Sequence, residues 1–193
     1  MVNKKQDILD AYIELSFINR QNRGTISAQQ VAEYVGCSKV LIFQYYSNMD
    51  ELSSVCFHSI CHEIKDEIRK VYVPDTITPE SVMDYLLKVW ERFFGYLSSN
   101  PPKAHYFVSY SLNRSPYPTG YSSSDMIVKS ILGEEYEHFL LECPDFILIS
   151  EYLVSVAALT ANMVQNSSDP ESVTEKITRI IMDGISSIIV KRS

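Results

Sequence analysis

Residues 25–52 read TISAQQVAEYVGCSKVLIFQYYSNMDEL, and this stretch decides the fold. Its apolar residues follow the spacing of two short helices, predicted over about 28–34 and 39–46: Val31, Ala32, Val35, Ile42 and Tyr46. Gly36 falls between the two helices, where a sharp turn suits the backbone freedom of glycine. The stretch therefore predicts a helix-turn-helix.

Three polar residues stand just before predicted helices. Ser27 and Ser38 can each accept a hydrogen bond from a free backbone N–H at a helix start, and Asn48 can do the same for a third, longer helix. Asp50 and Glu51 follow Asn48, where their charge suits the positive end of that helix. These caps define the predicted helix starts closely.

The register of this stretch resembles the N-terminal motif of the TetR family of one-component transcriptional regulators. In that family a threonine is followed by Ile-Ala, Gly-Val-Ser, a Leu-Tyr pair, an aromatic, a lysine and a leucine. This chain matches without a gap as Ser27, Val31-Ala32, Gly36-Cys37-Ser38, Ile42-Phe43, Tyr46, Met49 and Leu52. The resemblance implies a regulator with operator DNA as its partner, a homodimeric assembly and a small-molecule effector.

The remaining pattern predicts an all-α chain, with a DNA-binding head over residues 1–47 and an effector-binding and dimerisation body over 48–193. A first helix over 4–20 carries an apolar stripe of Ile8, Ala11, Tyr12, Leu15 and Ile18. A linking helix from 48 to 73 is expected to end before Pro74. A turn-rich loop is expected at 114–124, and further helices over 79–98, 102–113, 124–142, 145–166 and 171–191, which makes nine helices and no strand.

Composition limits the possible functions. A chain of 193 residues with 46% hydrophobic residues can form a core, and it has no apolar run of the length that spans a membrane and no basic-then-apolar leader, so a cytoplasmic protein with reduced cysteines is expected. The net charge of −7 argues against a broad basic surface for nucleic acid. Residues 1–52 hold five basic and six acidic side chains, so any DNA contact must be local.

The second helix of the motif is expected to enter the major groove of operator DNA. Lys39 can reach guanine, whereas Val40 and Leu41 lack donors and can contact only thymine methyl groups. Phosphate contacts are predicted from Thr25, Ser27, Ser38 and Tyr45, and from Lys4 or Lys5.

Two positions in the head depart from the family pattern. Phe43 stands where the motif has a tyrosine whose hydroxyl contacts a phosphate, and Met49 stands where a lysine is usual. Phosphate contacts supply much of the affinity for DNA. The alternative to a regulator is therefore an accessory dimer of the same fold that binds a protein partner and has weakened or lost DNA binding.

Aromatic residues in the middle of the body suggest a largely apolar effector pocket with a few orienting hydroxyls. The candidates, some of which can equally be core, are Trp90, Phe93, Phe94, Tyr106, Phe107, Tyr110, Tyr117 and Tyr121.

The last two helices are apolar enough to need a partner surface, either the core of the chain or a second copy of it. A dimer is favoured, because a reader of two DNA half-sites needs a two-fold axis. The predicted interface residues are Leu153, Ala157, Ala161, Ile177, Ile181, Gly184, Ile185 and Ile188.

Metal binding and catalysis are not predicted. His58, Cys61 and His62 have a spacing that zinc can use on a helix, but no fourth ligand is visible, and a packed cysteine with solvent-facing histidines is the simpler interpretation. The chain has no phosphate-binding loop, nucleophile elbow or HExxH motif, and no cofactor is expected.

Overall fold

A computed structural model of the chain describes residues 4–20, 25–72, 78–113 and 146–189. Within these ranges the chain forms eight α-helices and no strand. None of these helices is both long enough and apolar enough to cross a bilayer. The predicted loop at 114–124 and the predicted helix at 124–142 lie outside the described residues.

The head contains α1 (Lys4–Ile18), α2 (Ala28–Val35) and α3 (Lys39–Tyr45). Ser27 caps α2 through a reciprocal pair of bonds with Gln30, and Ser38 caps α3. Gly36 ends α2 with φ +67°, in the left-handed region where a side chain is strained. The predicted helix-turn-helix is confirmed, with boundaries that differ by one residue at most.

The first helix is shorter than predicted, and the stripe assigned to it needs one correction. Ile8 and Ala11 are buried as expected, but Ile18 is 57% exposed. Ile18 lies in the last turn, where the N–H of Asn19 bonds to Leu15 and the helix ends. The chain thus leaves the helix before Ile18 meets the core.

The linking helix α4 (Met49–Ile68) begins at the predicted cap, Asn48, but ends five residues before the predicted Val73. Ile68 is its last buried residue, and Tyr72 is 71% exposed. The N–H groups of Lys70 and Val71 donate to carbonyl groups three residues earlier, and not four as in an α-helix. This tighter last turn marks the end of the α-helix. The helix ends where its buried face ends, and not at the proline.

The body contains α5 (Pro79–Ser99), α6 (Pro101–Asn113), α7 (Phe146–Gln165) and α8 (Pro170–Ile189). Thr78 caps α5 and Asp169 caps α8, each just before a proline at the first helical position. Helix α5 packs on α4, α6, α7 and α8, so it lies at the centre of the body, and α1 packs on α6, so head and body share one core. One face of α5 is buried: Leu86, Trp90, Phe93 and Leu97.

Candidate functional site

Helix α3 presents one face to the core and the opposite face to solvent. Ile42 is fully buried, and Tyr46, one turn later, is 2% exposed. On the other side Val40 is 67% exposed and Phe43 is 42% exposed. We call the solvent-facing set the α3 surface; it comprises Lys39, Val40, Phe43 and Gln44.

Most of the side chains predicted to contact DNA are exposed around this surface: Thr25, Ser27, Ser38, Lys39, Val40, Phe43 and Tyr45. Leu41 is half-buried, so it is less available to a groove than Val40. Met49 is also half-buried and packs against the core at the start of α4. Seven of these nine residues are therefore exposed.

The two capping serines differ in whether their hydroxyl hydrogen is already used in a hydrogen bond. Ser27 Oγ accepts from the N–H of Gln30 and donates to Gln30 Oε1 at 2.9 Å, so both roles of its hydroxyl are used. Ser38 Oγ accepts from the N–H of Leu41 at 3.2 Å. A hydroxyl that only accepts still has its hydrogen to donate. Ser38 is therefore better placed than Ser27 to donate to a phosphate.

Few cationic side chains of the described residues lie near α3, and two of them lie close to aromatic rings. Lys39 Nζ lies 5.9 Å from the centroid of the Phe43 ring, and Lys5 Nζ lies 5.9 Å from that of Tyr46. Glu51 accepts from Ser47 at the start of α4, and these bonds, with Lys5 nearby, lower the pKa of Glu51. Within residues 4–20 and 25–47 the head thus has a local cation at Lys39 and no broad basic surface.

Two exposed residues of the head were missed by the sequence pattern. Gln44 lies one turn after Val40 on the same face of α3, and Tyr34 on α2 is 53% exposed. The spacing of Gln44 from Val40 could have identified it, because residues four apart share a helix face. No comparable signal marks Tyr34.

The aromatic residues predicted to bind an effector are packed together as core. Trp90, Phe93, Phe94, Tyr106 and Phe107 are all at least 95% buried. Trp90 stacks on Phe94 at 4.7 Å, and the half-buried Tyr110 stacks on Phe57 at 4.3 Å. Tyr106 also bonds to Ser53 on the linking helix. Tyr117 and Tyr121 lie outside the described residues.

An open groove of about 890 Å³ runs between α5 and α8 instead. Gly95 lies on its α5 side, and a Cβ added there would meet no atom within 4 Å. Charged groups from both helices line the groove: Glu91, Glu171, Glu175 and Arg179. Among the described residues, none of the predicted effector side chains lines it.

Most of the residues predicted for the dimer interface already lie in the core of one chain. Six are at least 91% buried: Leu153, Ala157, Ala161, Ile177, Ile181 and Ile185. Gly184 is half-buried against Tyr152, and the side chain of Ile188 lies outside the described part. Side chains that are covered within the monomer cannot also form a surface for a second copy.

Other apolar side chains on the same two helices are exposed. On α7 they recur at intervals of four and seven residues, and we call them the α7 stripe: Leu148 (59% exposed), Tyr152 (37%), Leu159 (71%) and Met163 (58%). On α8, Ile180 is 64% exposed beside the buried Ile181. The periodicity of the stripe is that of a helix seam that packs against another helix.

Several solved structures share this architecture, and the similar ones are transcriptional regulators. No family model and no curated protein matches the sequence. A TetR-like transcriptional regulator from Rhodococcus sp. RHA1 superposes with a TM-score of 0.68 at 17% identity, covering 96% of this chain and 97% of that one. The chain has the TetR fold.

Two further regulators support this assignment of the fold. A TetR family transcription regulator from Marinobacter aquaeolei VT8 gives a TM-score of 0.64 at 13% identity, covering 95% of this chain and 97% of that one. The fatty acid degradation regulator FadR from Bacillus halodurans gives 0.62 at 14%, covering 93% and 98%. All three neighbours are regulators, and none is described as an enzyme.

In this TetR fold, the histidine and cysteine residues of α4 do not converge. Cys61 is buried, whereas His58 and His62 are exposed and His62 pairs with Asp66 at 3.2 Å. Cys56 is also buried, which raises the pKa of its thiol. Across the described ranges no three His, Cys, Asp or Glu side chains are grouped so that they could hold a metal ion.

Proposed function

We propose that the protein is a homodimeric transcriptional regulator that binds double-stranded operator DNA and is released from it by a small-molecule effector. The observation that carries this proposal is the α3 surface, an exposed face on a helix that is fixed by Ser38 and by the turn at Gly36. In the TetR fold such a helix is expected to enter the major groove, which is wide enough to admit an α-helix.

The α7 stripe supports the dimer. Four exposed apolar side chains on α7, with Ile180 on α8, form a surface that a second copy can cover by two-fold symmetry. A dimer also gives the two α3 surfaces the spacing that they need, since half-sites one helical turn apart lie about 34–36 Å from each other. The stripe therefore replaces the buried residues as the proposed interface.

The groove between α5 and α8 is the better candidate for the effector site. Its volume of about 890 Å³ falls within the usual range for ligand pockets, and it is open, whereas the aromatic rings are stacked on one another. Gly95→Phe would fill the groove from an open position. In a thermal-shift screen of small molecules, a ligand of the groove should shift the wild type and not Gly95→Phe, while Phe93→Leu, a change among the packed aromatic rings away from the groove lining, should respond as the wild type does.

Contacts between head and body give a route by which an effector can act. Tyr106 on α6 bonds to Ser53 on α4 and packs edge-on against Tyr12 on α1. Glu63 on α4 binds Lys103 on α6 and accepts from Tyr96 on α5. An effector that binds one arrangement of these helices more tightly than the other shifts the protein toward that arrangement and so changes its affinity for DNA. By reciprocity, operator DNA changes the affinity for the effector by the same factor.

The deciding test is a gel-shift assay with genomic fragments from the source organism. We expect a discrete shifted band on a small set of fragments, which unlabelled fragment competes away and unrelated DNA of the same length does not. Val40→Glu places a carboxylate on the exposed face of α3 and should abolish the band, while Ile18→Glu, at another exposed position on α1, should keep it. If no fragment shifts at low salt, the proposal fails, and the head becomes a surface for a protein partner.

A further inference from the structure

The orientation of α3 selects which of its side chains can reach base edges. Val40, Phe43 and Gln44 lie on the exposed face, while Ile42 and Tyr46 are buried on the opposite one. Leu41 is half-buried between them. Residues that project from the same side of a groove-bound helix meet neighbouring base pairs, so the chemistry of this face decides which bases can be read.

Helix α3 carries few types of side chain that can recognise a base. Its sequence, KVLIFQY, contains no Arg, Asp or Glu. Arginine makes the commonest specific contact with guanine, and carboxylates accept from the amino group of cytosine. The helix therefore lacks arginine and the carboxylates, and Lys39 is its one charged side chain and the one that could contact guanine.

The residues that are present match an A·T pair. Apolar side chains contact the thymine C5-methyl group, and a glutamine amide can bond to adenine N6 and N7 together. Val40 and Phe43 supply the apolar groups, and Gln44 supplies the amide. Lys39 Nζ lies 5.9 Å from the centroid of the Phe43 ring, so reaching a guanine would mean leaving that ring.

We infer that the α3 surface reads A·T base pairs, recognising thymine methyl groups through Val40 and Phe43 and adenine through Gln44. This inference rests on the proposed function, because it concerns the bases that the bound DNA must present. The predicted half-site contains at least two thymines and one adenine in the major groove where α3 lies, with no requirement for a run of G·C pairs.

The first experiment selects binding sites from a duplex library with a randomised centre, using the purified wild-type protein. The enriched half-site is expected to hold invariant A·T pairs. Each thymine of that half-site is then replaced singly by uracil, which removes only the C5-methyl group. Losing one apolar methyl contact corresponds to about 0.8 kcal/mol, so each contacted thymine should weaken binding about fourfold on replacement.

Variants assign each methyl group to its reader. Val40→Ala should abolish the effect of uracil at one thymine and Phe43→Ala at another, because the contact is then already lost. Gln44→Ala should weaken binding roughly 5- to 150-fold and relax the preference at one adenine. Ile18→Ala, at a residue 57% exposed on α1, should retain the full uracil sensitivity of the wild type. Thermal unfolding of all four variants confirms that they fold.

The outcomes separate this inference from the proposed function. Selection of a half-site fixed at G·C pairs, or equal affinity for thymine and uracil at every position, would overturn the inference while leaving a DNA-binding protein. Uracil sensitivity that persists in both Val40→Ala and Phe43→Ala would overturn the assignment of these two readers. Failure to enrich any DNA would overturn both the inference and the proposed function.

Discussion

Leu159→Glu should dissociate the proposed dimer without unfolding the chain. Leu159 is 71% exposed in one chain, and burying a whole leucine side chain is worth about 1.5–3 kcal/mol. Covering its exposed part would contribute about 1–2 kcal/mol per subunit, or about 2–4 kcal/mol per dimer because two-fold symmetry uses the residue twice. Loss of that burial alone raises the dimer dissociation constant roughly 30- to 700-fold, and desolvation of the carboxylate adds to the effect.

Sedimentation over a wide range of protein concentration measures this change, and circular dichroism checks that the variant remains helical. Tyr72→Glu is the matched control, since Tyr72 is also 71% exposed but follows α4, away from α7. Ile181→Asp is the contrasting variant, because Ile181 is 1% exposed and a charge there should unfold the chain. A folded Leu159→Glu protein with the wild-type dissociation constant would refute the role of the α7 stripe.

Three further predictions concern the head. Gly36→Ala should lower its stability by roughly 1–2 kcal/mol, because φ is +67° and no atom clashes with the new Cβ, and Gly36→Asn should cost less; equal melting temperatures for wild type and Gly36→Ala would contradict this. Met49→Lys should steepen the fall of log K with log salt by about one unit, because a cation there would neutralise one phosphate, and an unchanged slope would show that residue 49 does not face a phosphate. Burial raises the pKa of Tyr46 from 10.0 to about 12. The stability that the neutral, buried hydroxyl gives the folded chain should therefore be complete below pH 10 and lost as the pH rises to about 12. Chemical denaturation should show a smaller loss of folding stability over that interval in Tyr46→Phe than in the wild type.

The head could be predicted closely because its signals are local. A cap such as Ser38 acts on an N–H three residues away, and the turn at Gly36 depends on the conformation of one residue. The exposed face of α3 also follows from the sequence once Ile42 is placed in the core. Gln44 lies on the same face, but the family motif names no residue at its position.

The faces of α7 and α8 could not be assigned in the same way. Helix α7 has apolar residues on more than one side, so periodicity does not distinguish the face that packs inside the chain from the face left exposed. Ile180 and Ile181 are chemically identical neighbours, yet one is 64% exposed and the other 1%. The packing of α8 against α5 and α7 decides which of these two isoleucines is buried.

The same tertiary packing shows how the proposed effector site and the proposed DNA-binding surface could be linked. Tyr106 joins α6 to α4 through Ser53 and to α1 through the ring of Tyr12. Near the end of α1, Phe17 packs edge-on against His105 of α6, whose pKa is lowered by burial and by Arg20. A shift of α6 would therefore move α1 of the head and the linking helix α4 together. Because the proposed base contacts lie on the small α3 surface, a modest displacement of that surface would change the affinity for DNA.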